Sequence, residues 1–470
     1  MTKKITIDPI TKLEGHGKIS IFLDDKGNVE RAYFQVPDFR GFEKFCEGRA
    51  VEEMPALTQK ICGVCPTAHH TASTKALDNL FNVEPPKAAK KVRELMYNAF
   101  IFEDHLLHFY FLGGPDFIVG TDAPKEKRNI FGVRDKLGAE IVKKAIDIRK
   151  RTRELNAMIS GSSLYPVCGL PGGTSKALTE EDRAVIKDLT KDFIEFAEST
   201  LKIFDYVFLK NKQIFDLMVS DVYYHKTYYM GIVDEKNKVN FYDGKIRVVG
   251  PDRREFVKFE PKDYLKYLQE RVEPWSYMKI LYLKNPGWKG FVDGLDSGIY
   301  RVGPLARLNV SDGMATPLAE AEYKKMFSTL GGKPVHNTLA YHWARLIEVL
   351  YAAERMNELI NDTELTNPDV RNIPNDIQKE GVGTCEAPRG MLLHHYEASK
   401  QGILQSANLL VATQHNAAAI NMSIEKAARS VIKNDNVSDS LLNMVEMAFR
   451  AYDPCLACAT HIISRVSAGW

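Results

Sequence analysis

Seven cysteines occur in the 470-residue sequence, and four of them form two C-x2-C pairs. Cys62 and Cys65 lie in KICGVCPTAH, with His69 following; Cys455 and Cys458 lie in DPCLACATH, with His461 following. Two intervening residues let both thiolates of a pair turn toward one ion. Four thiolates together make a soft site suited to zinc, iron–sulfur or nickel. Zinc is the commonest use of such pairs, but zinc ribbons close loops of about 15–20 residues. Here the two pairs stand near opposite ends of the chain. Pro454 and the apolar neighbours Ile61, Val64 and Leu456 suit burial. A site that closes the whole chain inside a core makes sense for chemistry that must be dry. An odd cysteine count with this spacing fits metal or redox use in a reducing compartment, not a disulfide framework.

The remaining sequence must supply a scaffold that brings the ends together. At 44% hydrophobic and 26% charged residues it has the composition of an ordinary globular protein, long enough to bury a deep core. The net charge of +2, from 63 basic and 61 acidic residues, gives no electrostatic argument for nucleic acid. The first residues, MTKKITIDPITKLEGH, lack the apolar core of a signal peptide. No window approaches the roughly 18 apolar residues of a membrane span. The expected location is cytoplasmic.

Residues 1–40 alternate apolar and polar, with a turn at Asp25-Lys26-Gly27-Asn28, and predict a small antiparallel sheet with a hairpin. Helical patterns follow at 86–112, 131–160, 179–212, 336–362 and 440–451. Thr179 and Asp182 occupy capping-box positions, and Ser438 caps the last helix. Residues 222–310, rich in Tyr, Val, Gly and turn pairs, predict a β-rich excursion. The expected fold is mainly α with small β parts (α+β): a central helical bundle in a single domain over 1–470.

The two cysteine motifs resemble the signature pair of nickel–iron hydrogenase large subunits. Further matches run in order along the chain: DPITKLEGH (8–16), RGFE (40–43), EDHLLHFY (103–110), PGG (171–173) and GVGTCEAPRG (381–390). The resemblance is strongest to the soluble multimeric enzymes that couple hydrogen to NAD(P), deazaflavin or ferredoxin, and it extends to the fold, which related complex I subunits share. One departure is Lys60, where the family usually has Arg; it keeps the charge but not the fork geometry.

What the resemblance implies is specific. Cys62 and Cys455 correspond to terminal nickel ligands, and Cys65 and Cys458 to bridges between nickel and an iron carrying two cyanides and one carbonyl. Glu14 corresponds to the first acid of a proton relay leading from Cys455. Arg389 corresponds to a guanidinium over the open metal position, oriented by Asp104 and Asp453. Glu43 and His461 correspond to ligands of a second metal, usually magnesium, and His69 to a donor to a bridging sulfur. His108, His394 and His395 are expected to be structural, and Cys46, Cys168 and Cys385 buried and inert. The implied partners are an iron–sulfur small subunit, flavin/NAD(P) or ferredoxin-linked diaphorase subunits, and a maturation protease. In the family that protease usually cuts after the residue matching His461, so Ile462–Trp470 marks an unprocessed precursor or a retained tail, the former being favoured.

Two nucleotide-loop look-alikes fail on detail. GGTSK (172–176) has Ser175 where a Walker loop needs Gly before the Lys, and GVGTCE (381–386) lacks the third glycine of a dinucleotide loop. The competing functions are a zinc-stapled scaffold without catalysis and a complex I-like quinone-reductase subunit. Complex I subunits lack the four cysteines that this chain keeps.

Overall fold

The computed structural model describes residues 3–460. The chain begins with strands β1 (Lys3–Ile7), β2 (Lys18–Leu23) and β3 (Val29–Gln35), which form an antiparallel sheet in that order. Ile19, Ile21 and Leu23 on alternate positions are fully buried, which fixes the register of β2. Asp24 closes the turn: its carboxylate accepts from the amides of Lys26 and Asn28, both at 2.9 Å. Gly27 there takes a φ of 73°, a conformation that favours glycine.

The body is helical. Helix α1 (Pro66–Leu80) starts directly after Cys65 and is buried along nearly its whole length. Helix α2 (Lys87–Leu107) runs on into a π-helical turn, His108–Leu112, and buries Glu103, Asp104, His105 and His108. Such turns are frequent at functional sites. The pattern at 131–160 is two helices, α3 (Ile130–Leu137) and α4 (Ala139–Ser160), because Gly138 at φ 95° breaks the run. The pattern at 179–212 is likewise divided into α5 (Glu180–Thr190) and α6 (Phe193–Phe204). The capping box of α5 is reciprocal, with Thr179 Oγ1 accepting from the Asp182 amide and Asp182 accepting from the Thr179 amide, each at 3.0 Å.

Six strands lie between 228 and 301. β4 (Tyr228–Val233), β5 (Lys245–Val249) and β6 (Glu255–Phe259) form a sheet in which the late strand β9 (Tyr300–Arg301) pairs parallel to β4. β7 (Leu268–Arg271) and β8 (Ile280–Leu283) form a separate antiparallel pair. The expected β-rich stretch ends in a helix, α7 (Pro304–Val310), every residue of which is buried. Helix α8 (Tyr341–Ile360) then packs along α2.

A three-stranded sheet of β10 (Glu380–Ala387), β11 (Gly390–Ala398) and β12 (Leu404–Leu410) is not announced by the sequence pattern. The reason is burial on both faces: seven of the eight β10 residues are buried, so no alternation marks the strand. Gly381 and Gly383 let β10 lie directly on α1, since a Cβ on Gly383 would stand 2.2 Å from the Ala72 carbonyl oxygen. The chain closes with α9 (Ala412–Val431), α10 (Asp439–Arg450, capped by Ser438) and the single turn α11 (Leu456–Ala459). The fold is mainly α with small sheets.

Candidate metal centre

The two cysteine pairs meet. Cys62 sits in extended backbone and Cys65 occupies the N-cap of α1, where Pro66 starts the helix without needing an amide donor. The amides of Val64 and Cys65 donate to Cys62 Sγ at 3.2 and 3.3 Å. Cys455 precedes α11 and Cys458 lies within it. Sγ of Cys62 is 3.3 Å from that of Cys455, Cys65 is 3.2 Å from Cys458, and Cys455 is 2.9 Å from Cys458. All four are buried, and their sulfurs lie within 4.8 Å of one another.

The electrostatics suit a cation. Burial pushes the Cys455 and Cys458 thiols well above the usual range; the neighbouring sulfurs add to the rise at Cys455, whereas at Cys458 Cys455 opposes it and Cys62 and Cys65 add to it. Burial also raises Cys62, but hydrogen bonds from the other three sulfurs and the charge of Arg389 hold it well below. A soft dication among the sulfurs supplies the charge that lets the others ionise. This donor set fits a nickel–iron centre.

Acid and base groups surround the sulfurs. Glu14 accepts from Cys455 Sγ at 2.9 Å and from the Ala457 amide at 3.1 Å, both through Oε2. The two backbones also pair, the Leu456 amide donating to the Glu14 carbonyl at 2.8 Å. Glu14 is half-buried, and burial raises its pKa, with Cys62 adding to the rise. The buried Arg389 guanidinium, on the β10–β11 turn, reaches Asp104 Oδ2 at 3.2 Å and Asp453 Oδ2 at 3.1 Å. Burial pushes Asp104 up to about 7 despite the guanidinium beside it. Asp453 holds a left-handed φ of 56°, uncommon outside glycine. His69 on α1 places Nε2 3.4 Å from Cys458 Sγ.

Residues 40–164 and 232–461 match the family model described as nickel-dependent hydrogenase, and residues 4–39 match a HoxL-like model. The chain belongs to the nickel-dependent hydrogenases. Relatives agree over nearly the full length. An F420-non-reducing hydrogenase polypeptide from Archaeoglobus profundus is 49% identical, covering 98% of this chain and 95% of its own. The beta subunit of the NAD-reducing hydrogenase of Cupriavidus necator is 35% identical, covering 99% and 96%. The crystal structure of an NAD+-reducing nickel–iron hydrogenase in its H2-reduced state superposes with a TM-score of 0.92 at 36% identity, over 98% of this chain and all of that one. The chain is thus a large subunit of a nickel–iron hydrogenase, an oxidoreductase.

Other expected residues of this hydrogenase subunit fall as follows. Glu43 is buried, accepts from the Leu409 amide at 2.6 Å, and is pushed up to about 8 by burial. His461 and the tail Ile462–Trp470 lie outside the described residues. Thr460, the last described residue, accepts from the Arg40 amide at 2.9 Å, three positions from Glu43. Lys60 stacks its ammonium on the Tyr165 ring at 3.4 Å. Cys46, Cys168 and Cys385 are buried, and the described cysteines are all free. GGTSK enters a two-residue strand pair and GVGTCE runs along β10, so neither is a nucleotide loop. No helix among the described residues is long and apolar enough to cross a membrane.

Sequence reasoning missed two features. Arg307 on α7 is fully buried and forms a bidentate pair with Glu348 at 2.6 Å and a bond to Glu386 at 2.7 Å. It also donates to the carbonyls of Ala387 and Pro388, and so grips the turn that carries Arg389. Glu348 in turn contacts His105 at 2.8 Å. His394, expected to be structural, lies 3.1 Å from His69. Neither had a spacing signal, because the partners lie on different elements.

Proposed function

We propose that this chain is the catalytic subunit for reversible oxidation of hydrogen to protons and electrons. The observation that carries the reading is the closed set of four buried sulfurs with Glu14 at 2.9 Å from Cys455 and Arg389 held between two acids. When bound, the nickel–iron centre supplies the soft Lewis acidity that polarises hydrogen toward heterolytic cleavage. Cys62 and Cys455 would hold the nickel, and Cys65 and Cys458 would be shared with the iron, whose two cyanides and one carbonyl no side chain supplies.

Cys455 Sγ takes the released proton first. Glu14 Oε2 accepts it next and, being half-buried, passes it outward. A carboxyl with a raised pKa matches a thiol donor better than an exposed glutamate does. Arg389 presents a fixed positive charge to the sulfurs, with Asp104 and Asp453 holding the plane of its guanidinium. Glu43 and His461 would hold magnesium. Electrons leave through an iron–sulfur small subunit to flavin-bearing subunits that reduce a soluble carrier such as NAD(P) or ferredoxin, in the cytoplasm. The Cupriavidus necator relative, described as NAD-reducing, supports that direction.

Purification with its partner subunits, followed by hydrogen-dependent dye reduction and a separate assay of NAD(P) and ferredoxin, tests the reading. Dye reduction without carrier reduction leaves the centre and overturns the acceptor. Absence of both overturns the function.

A further inference from the structure

Beyond His69, a line of buried polar side chains continues away from the cysteines. His69 Nδ1 lies 3.1 Å from His394 Nε2, His394 Nδ1 lies 2.7 Å from the Tyr396 hydroxyl, and that hydroxyl lies 2.8 Å from Ser73 Oγ. All four residues are nearly inaccessible to solvent. The match is built into the two elements that carry them. His69 and Ser73 are i, i+4 on α1, about 6 Å apart along the axis at 1.5 Å per residue. His394 and Tyr396 are i, i+2 on β11, about 6.5 Å apart at roughly 3.3 Å per residue. Helix and strand therefore present two rungs at nearly equal spacing, and the His394–Tyr396 bond ties them into a ladder.

The geometry points to His394 and Tyr396 as positioning residues that set which nitrogen of His69 donates to the Cys458 sulfur. This rests on the reading of Cys458 as a metal ligand. A metal-bound thiolate carries no proton, so His69 must present Nε2–H to it and leave Nδ1 as an acceptor. His394 then presents Nε2–H to His69 and accepts from the Tyr396 hydroxyl. That hydroxyl donates to Ser73 Oγ in the structure, and a turn about its C–O bond redirects it to His394 and leaves it to accept from Ser73. The ladder keeps the His69 donor aimed at the sulfur, and a hydrogen bond to a metal-bound sulfur draws electron density from the metals.

The test uses the complete enzyme with its partner subunits and reads nickel per chain, the nickel EPR spectrum and the nickel midpoint potential. His394→Leu is expected to keep nickel at the wild-type level while shifting both the g values and the potential. His394→Gln, whose amide N–H can replace Nε2–H, should move both back toward wild type. Tyr396→Phe should give a smaller shift in the same direction. If His394→Leu loses nickel, Tyr396→Phe, which removes one oxygen and keeps the ring, decides alone. Wild-type spectra and potential in nickel-loaded Tyr396→Phe and His394→Leu overturn the inference and leave the cysteine site untouched. Wild-type enzyme without nickel overturns the underlying reading instead.

Discussion

Oε2 of Glu14 lies 2.9 Å from Sγ of Cys455, and the two residues are also joined through their backbones. An acid from the first strand-turn region is thereby fixed to a cysteine of the cluster near the far end of the chain. Neither can shift without the other, so Glu14 and the cysteine cluster move as one unit. This is the pre-organisation that proton transfer over a single hydrogen bond requires.

Glu14→Gln keeps the volume and the bond from the Ala457 amide but cannot relay a proton. Metal content is expected to stay at the wild-type level. Hydrogen–deuterium exchange with solvent should fall by about 10²-fold or more. Exchange at the wild-type rate would remove Glu14 from the route.

Cys458→Ser replaces a soft sulfur by a hard hydroxyl that bridges soft metals poorly. Nickel per chain should drop to background while the chain still folds. A variant with full nickel and full hydrogen uptake would show that Cys458 is not a ligand.

Arg389→Lys is a large change despite the retained charge, because an ammonium cannot span Asp104 and Asp453 together. Turnover should fall by roughly 10-fold or more, about 1.4 kcal/mol in the barrier, with nickel unchanged. Activity within about two-fold of wild type would contradict the electrostatic role.

Arg307→Met leaves Glu348 and Glu386 buried without their cation. Removing one partner from a buried ion pair destabilises by about 3–5 kcal/mol. Denaturant unfolding should show the loss, and a midpoint equal to wild type would mean that the two carboxyls find other partners.

How much of this was legible beforehand follows from which signals are local. The Cys62–Cys65 and Cys455–Cys458 spacings, the Asp25–Asn28 turn and the Thr179–Asp182 cap are each written within a few residues, and each could be read directly. The alternation of Ile19, Ile21 and Leu23 announced the first sheet. The sheet at 380–410 carried no alternation, because β10 is buried on both faces and its glycines serve close packing against α1. Helix lengths were over-read where one glycine, Gly138, ends a run whose apolar period continues past it. Long-range partners such as Arg307 with Glu348, or His69 with His394, had no sequence signal, since only the tertiary fold brings them together.

The central claim is tested most directly by metal analysis of the chain purified anaerobically with its partners. The account predicts one nickel and one cysteine-bound iron per chain, with nickel lost on substituting any of Cys62, Cys65, Cys455 or Cys458. A chain that carries zinc alone, with no nickel in an active preparation, would contradict it.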